Sequence, residues 1–163
     1  MINSISTMTA KRILPILLLA ATFAFSKAMA QKQYPLAEAK KAIAESNAVY
    51  FTSFAKNDPS IFIDRYAEDA CIMAPNTPAL CGRDAAAKFF RDAVDNYGLK
   101  GGKFITTDVY GDGKEFVTEE GLWQSFDANG NLFDDGKFLV LWKKTSKGWK
   151  MYRDSFSSNR APK

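Results

Sequence analysis

The chain has 163 residues, of which 47% are hydrophobic, 25% charged and 13% aromatic. That balance excludes a disordered chain, a collagen-like fibre and a polytopic membrane protein, and the length suits one domain. The sequence contains no histidine and carries a formal net charge of +4, which removes His-based triads, facial-triad iron sites and the usual zinc hydrolase sites.

Residues 1–30 read as a cleaved secretory signal. Lys11 and Arg12 form a charged start, Ile13 to Phe25 is an apolar run, and Ala28-Met29-Ala30 supplies the small residues of a cleavage site before Gln31. The run is short of the roughly 20 residues that cross a bilayer; the rival reading is an uncleaved N-terminal anchor. Cleavage removes Lys11, Arg12 and Lys27 and leaves 19 basic against 18 acidic residues. A nearly neutral domain, residues 31–163, argues against nucleic acid as a partner, and no stable membrane anchor is expected once the signal is gone. Periplasmic or secreted localisation follows from the signal.

Leu36 to Lys56 has helical periodicity, with Leu36, Ala39, Ile43, Asn47, Tyr50, Phe51 and Phe54 on one face. Asn57-Asp58-Pro59 breaks it. A short second helix is expected over Ser60 to Tyr66, with Asp58 as its cap. Ala70 to Cys81 reads as a hairpin centred on Asn76, which would set Cys71 opposite Cys81. An even cysteine count in an exported chain suggests a bridge between them; two buried thiols are the alternative. A third helix spans about Asp84 to Tyr97, with Ala86, Phe89, Phe90, Ala93, Val94 and Tyr97 as its stripe, and Gly98 ends it.

After Gly101-Gly102 the period falls to two. Strands are expected over 103–110, 115–126, 137–144 and 149–156, separated by glycine-containing turns. Helices first and an antiparallel meander afterwards give an α+β fold with the helices on one sheet face. In Phe138-Leu139-Val140-Leu141-Trp142 every residue is apolar, so both faces of that strand need cover. The helices can cover one; a second copy of the chain is the natural cover for the other, which predicts a homodimer.

The segments Arg65-Tyr66-Ala67-Glu68-Asp69-Ala70, Met73-Ala74-Pro75, Cys81-Gly82-Arg83-Asp84-Ala85, Glu120-Gly121, Asp135-Gly136-Lys137-Phe138 and Gly148-Trp149-Lys150-Met151-Tyr152-Arg153-Asp154-Ser155-Phe156 occur in a telling order. Together they resemble the SnoaL-like and DUF4440 branch of the nuclear-transport-factor-2-like (NTF2-like) superfamily. The resemblance implies a cone-shaped α+β half-barrel, a curved and mostly antiparallel sheet around a long first helix, with a pocket at its open end. It also implies a range of roles, from ketosteroid isomerase-like enzymes, cyclases and dehydratases to binding domains and dimerisation modules. The fold alone does not choose among them.

Asp154 is the leading candidate for proton transfer, because a carboxyl in phase with Tyr152 and Phe156 would be desolvated and its pKa raised. A structural ion pair is the competing role for it. Asp108 is a weaker candidate. Glu119 and Glu120 point to opposite faces, so only one can enter a pocket. Tyr50, Phe54, Tyr66, Met73, Trp123, Phe138 and Trp142 are the candidate ligand wall, suited to a small, apolar, ring-shaped organic molecule. Each of them is also a candidate for plain core. No cluster has metal-ligand spacing and no glycine-rich loop cradles a phosphate, so no cofactor is expected.

Overall fold

The computed structural model describes residues 36–161. The expected secretory segment and the polar lead after it lie outside the described residues. Helix α1 covers residues 36–56. Its buried stripe is Ala39, Ile43, Ser46, Tyr50, Ser53 and Phe54, the spacing of one helical face. Two serines enter that stripe because their hydroxyls bond back to the helix: Ser46 Oγ donates to the Ala42 carbonyl at 2.9 Å and Ser53 Oγ to that of Tyr50 at 2.5 Å. Asn57 ends the helix with a φ of 50°, a left-handed position that asparagine tolerates.

Helix α2 is only Ser60–Ile63, shorter than expected. Asp58 Oδ1 accepts the Ser60 N–H at 3.0 Å. Tyr66, assigned by its spacing to this helix, instead opens strand β1, Tyr66–Met73. A turn with Asn76 at φ 58° leads to β2, Leu80–Cys81. Cys71 pairs with Cys81 across the two strands, and their sulfurs are bonded. Helix α3, Arg83–Tyr97, buries Ala86, Phe90 and Val94 and stops at left-handed Gly98.

Four long strands follow: β3 Leu99–Gly111, β4 Phe116–Asp127, β5 Leu132–Thr145 and β6 Gly148–Ser158. All four form, and each runs beyond its expected span at one end or both. The sheet order is β2-β1-β6-β5-β4-β3. The last four strands are the antiparallel meander, but β1 joins β6 in parallel, so the sheet is mixed.

The two sheet faces separate cleanly on β5. Phe138, Val140 and Trp142 turn inward at 6%, 2% and 0% exposure, whereas Leu139 on the outer face is 49% exposed. One register row crosses four strands: Ile72 beside Asp154, Asp154 beside Val140, Val140 beside Glu119. All four side chains are buried, so this row carries two carboxyls into the core. Among the described residues no helix is long and apolar enough to cross a membrane.

Candidate functional site

The interior is built from rings. Tyr50 of α1 lies 4.7 Å from Phe62, 4.8 Å from Phe104, 5.2 Å from Phe90 and 5.4 Å from Phe54, between ring centroids. Phe54 stacks on Phe90 at 4.7 Å, Phe62 meets Tyr66 edge-on, and Phe104 meets Phe138 edge-on. These separations are those of packed aromatic pairs. Of the residues expected to line a hollow, Tyr50, Phe54, Tyr66, Phe138 and Trp142 therefore belong to the core.

Two acids sit beneath these rings. Tyr66 donates its hydroxyl to Asp154 Oδ2 at 2.6 Å, a buried bond that closes a separation of 88 residues in the chain. Asp154 is 5% exposed. Burial pushes its carboxyl up to about 6; the Tyr66 bond pulls the other way, and the charge of Glu119 adds to the rise. Tyr50 adjoins Tyr66, and both phenols are held well above the ordinary range, first by burial and then by the Asp154 charge.

Glu119, rather than Glu120, is the acid that turns inward, at 0% exposure. Its Oε1 accepts from Asn47 Nδ2 at 2.7 Å and Thr106 Oγ1 at 2.6 Å, and its Oε2 from the Trp142 indole N–H at 3.0 Å. Burial raises its pKa, and the three donors oppose the rise. Asn47 thus ties α1 to the sheet through a carboxylate. The alternation of β4 narrows the choice to Glu119 or Glu120; only the register selects between them.

Other expected residues fall elsewhere. Asp108 is exposed, because a register shift between Thr106 and Asp108 reverses the alternation and turns Val109 inward instead. Among the described residues its carboxyl accepts the neighbouring Val109 N–H. Met73 is 36% exposed and paired with Ser155 in register, on the sheet face opposite that of Ile72 and Asp154. Trp123 is half-buried; its indole donates to the Ser157 carbonyl at 3.2 Å and its ring meets Phe156 edge-on. Trp142 and Phe138 are core.

The outer sheet face carries a groove of about 420 Å³, with Leu122, Leu139, Glu120, Lys137, Thr107 and Ser155 among its lining. Around it Ile105, Leu122 and Leu139 are 43%, 46% and 49% exposed. Among the described residues no group of acids and cysteines could hold a metal ion.

No family model matches the chain, and no curated protein matches it. Solved structures do match in shape. A domain of unknown function with a cystatin-like fold from Nostoc punctiforme has a TM-score of 0.65 at 15% identity, over 75% of this chain and 78% of that one. A ketosteroid isomerase-like protein from Erwinia carotovora atroseptica has 0.60 at 20% identity, over 77% and 97%. An NTF2-like protein of unknown function from Shewanella oneidensis has 0.58 at 17% identity, over 72% and 98%. The chain therefore has the NTF2-like, cystatin-like α+β fold.

Proposed function

We propose that this chain is an exported, homodimeric binding domain of the SnoaL-like and DUF4440 kind, whose interior carboxyls are engaged by the chain's own donors. The observation that carries this is the contrast between the two sheet faces. The inner face is filled by the chain's own rings, while the outer face leaves Ile105, Leu122 and Leu139 uncovered around a groove. A two-fold partner needs a self-complementary patch. This one is apolar at its centre and carries one anion, Glu120, and one cation, Lys137. Two copies can set each charge against its opposite. Light scattering at micromolar concentration should give the mass of two chains, and Leu139→Asp should give one chain with unchanged circular dichroism. Wild-type protein scattering as a single chain refutes the homodimer.

Export is supported by the Cys71–Cys81 bridge, since such bridges persist in oxidising compartments. N-terminal sequencing of the exported protein should begin at Gln31; a start at Met1 refutes cleavage.

One observation favours a second reading, in which a small apolar ring-shaped molecule enters the cone and meets acid/base chemistry. The Asp154 carboxyl, raised to about 6, is placed for proton transfer near neutrality, with Tyr66 as hydrogen-bond partner. The rings of Tyr50, Phe90 and Phe104 would have to part to admit the molecule. A thermal-shift screen of flat apolar compounds tests it. A compound that stabilises and is turned over by wild type, but is not turned over by Asp154→Asn, supports catalysis. Equal turnover by the variant removes it.

A further inference from the structure

We propose that the Cys71–Cys81 bridge is a redox-controlled clasp on α3, and that reducing it loosens the wall over the Tyr66–Asp154 pair. The contacts run as a continuous chain from surface to core. Cys81 is exposed and Cys71 half-buried, so the bridge lies outside the core. Strand β2 is two residues long and pairs with β1 at only two positions, Cys71 with Cys81 and Ile72 with Leu80. The backbone bond from the Gly82 N–H to the Ala70 carbonyl, at 2.8 Å, flanks the bridge. So short an edge strand has little else to hold it.

Directly after Cys81 the chain enters α3 through Gly82, whose φ of 87° fixes the angle at which the helix leaves the sheet. The first residue of α3, Arg83, donates to the Tyr66 carbonyl at 3.2 Å and pairs with Asp64 at 3.3 Å. Tyr66 in turn holds Asp154. Two turns along the same helix, Phe90 closes against Tyr50, Phe54 and Tyr66. Opening the bridge frees β2, the hinge at Gly82 and the Arg83 anchor together, while the pairing of β3 to β6 is untouched.

The co-reactant is a dithiol. Its thiolate attacks the exposed Cys81 sulfur, forming a mixed disulfide and breaking the Cys71–Cys81 bond; the leaving Cys71 thiolate takes up a proton. The second thiol of the reductant then displaces Cys81. The protein gains two electrons and two protons, and the dithiol leaves as a disulfide.

Hydrogen-exchange mass spectrometry of the oxidised protein and of protein reduced with dithiothreitol tests the clasp. Reduction should speed exchange about tenfold or more in residues 80–90 and in the peptide holding Tyr66, with β4 and β5 peptides unchanged. The double variant Cys71→Ser/Cys81→Ser should reproduce that pattern without reductant. Unchanged exchange on reduction makes the bridge an inert staple and overturns the proposal. Acceleration spread evenly through β4 and β5, or global unfolding of reduced wild type, makes it a general support of the fold and overturns it equally.

Discussion

Replacing Asp154 by Asn isolates the cost of holding a carboxylate in the core. In the folded chain burial pushes this carboxyl up to about 6, against an ordinary value of 3.8. The native state therefore holds the proton more tightly than the unfolded chain does. Its contribution is fully present below the unfolded pKa and is lost as pH rises through the folded one. The difference between 3.8 and about 6 corresponds to roughly 3 kcal/mol. Of this, roughly 2.4 kcal/mol of wild-type stability should be lost between pH 4 and pH 7, the rest lying below pH 4. Glu119, also raised by burial, acts with the same sign. The exposed carboxylates with lowered pKa, Glu45, Asp58, Asp69 and Asp127, act oppositely, but only as pH drops toward and below their usual range.

Urea unfolding at half-unit pH steps from 4 to 8 reads the slope directly. Asp154→Asn keeps the size of the side chain and an acceptor for Tyr66, and should flatten most of the slope. Tyr66→Phe removes the bond that holds the carboxyl down, so the fall should move to higher pH. A wild-type stability that is level or rising from pH 4 to 7, or a variant that keeps the full slope, refutes the buried-carboxylate account.

Glu119→Gln removes a charge that raises Asp154, so the Asp154 titration followed by carboxyl NMR should move down in pH. An unchanged midpoint would mean the two acids are not coupled. At Gly121 a Cβ would lie 2.4 Å from the Ile105 carbonyl oxygen and 2.8 Å from the Phe138 ring; Gly121→Ala should cost about 1–3 kcal/mol through overpacking, read by thermal melting. Phe90→Ala should cost about 3–5 kcal/mol, because Phe90 is 1% exposed and touches four other rings of the cluster. A loss below 1 kcal/mol would show that the ring cluster does not carry the core.

The helices were legible because a stripe of period 3.6 survives in the residues themselves: Ile43, Tyr50 and Phe54 on α1, Ala86, Phe90 and Val94 on α3. The hairpin could be read from Asn76, and with it the opposition of the two cysteines. Less legible were features set by pairing between distant strands. Tyr66 follows Phe62 at helical spacing, yet the parallel ladder to β6 claims it. Asp108 matches Phe104 and Thr106 in simple alternation, and one bulge turns it to water. The inward choice of Glu119 depends on the β4 register, and its donors Asn47, Thr106 and Trp142 come from three other elements. A buried, partnered carboxylate and an exposed one look alike in a string of letters, since only the partners differ.

The parallel junction of β1 with β6 has a kinetic consequence. Ile72 and Asp154, Met73 and Ser155 are neighbours in the sheet although most of the domain's sequence lies between them. As the chain emerges from the ribosome, β1 has only the two residues of β2 to pair with until the last strand is made. The Tyr66 hydroxyl stays without its Asp154 partner throughout that interval. The β1–β6 ladder has to close a long loop before it forms, which slows folding relative to a topology of local contacts. The same topology also leaves β1 without its parallel neighbour until β6 has been made.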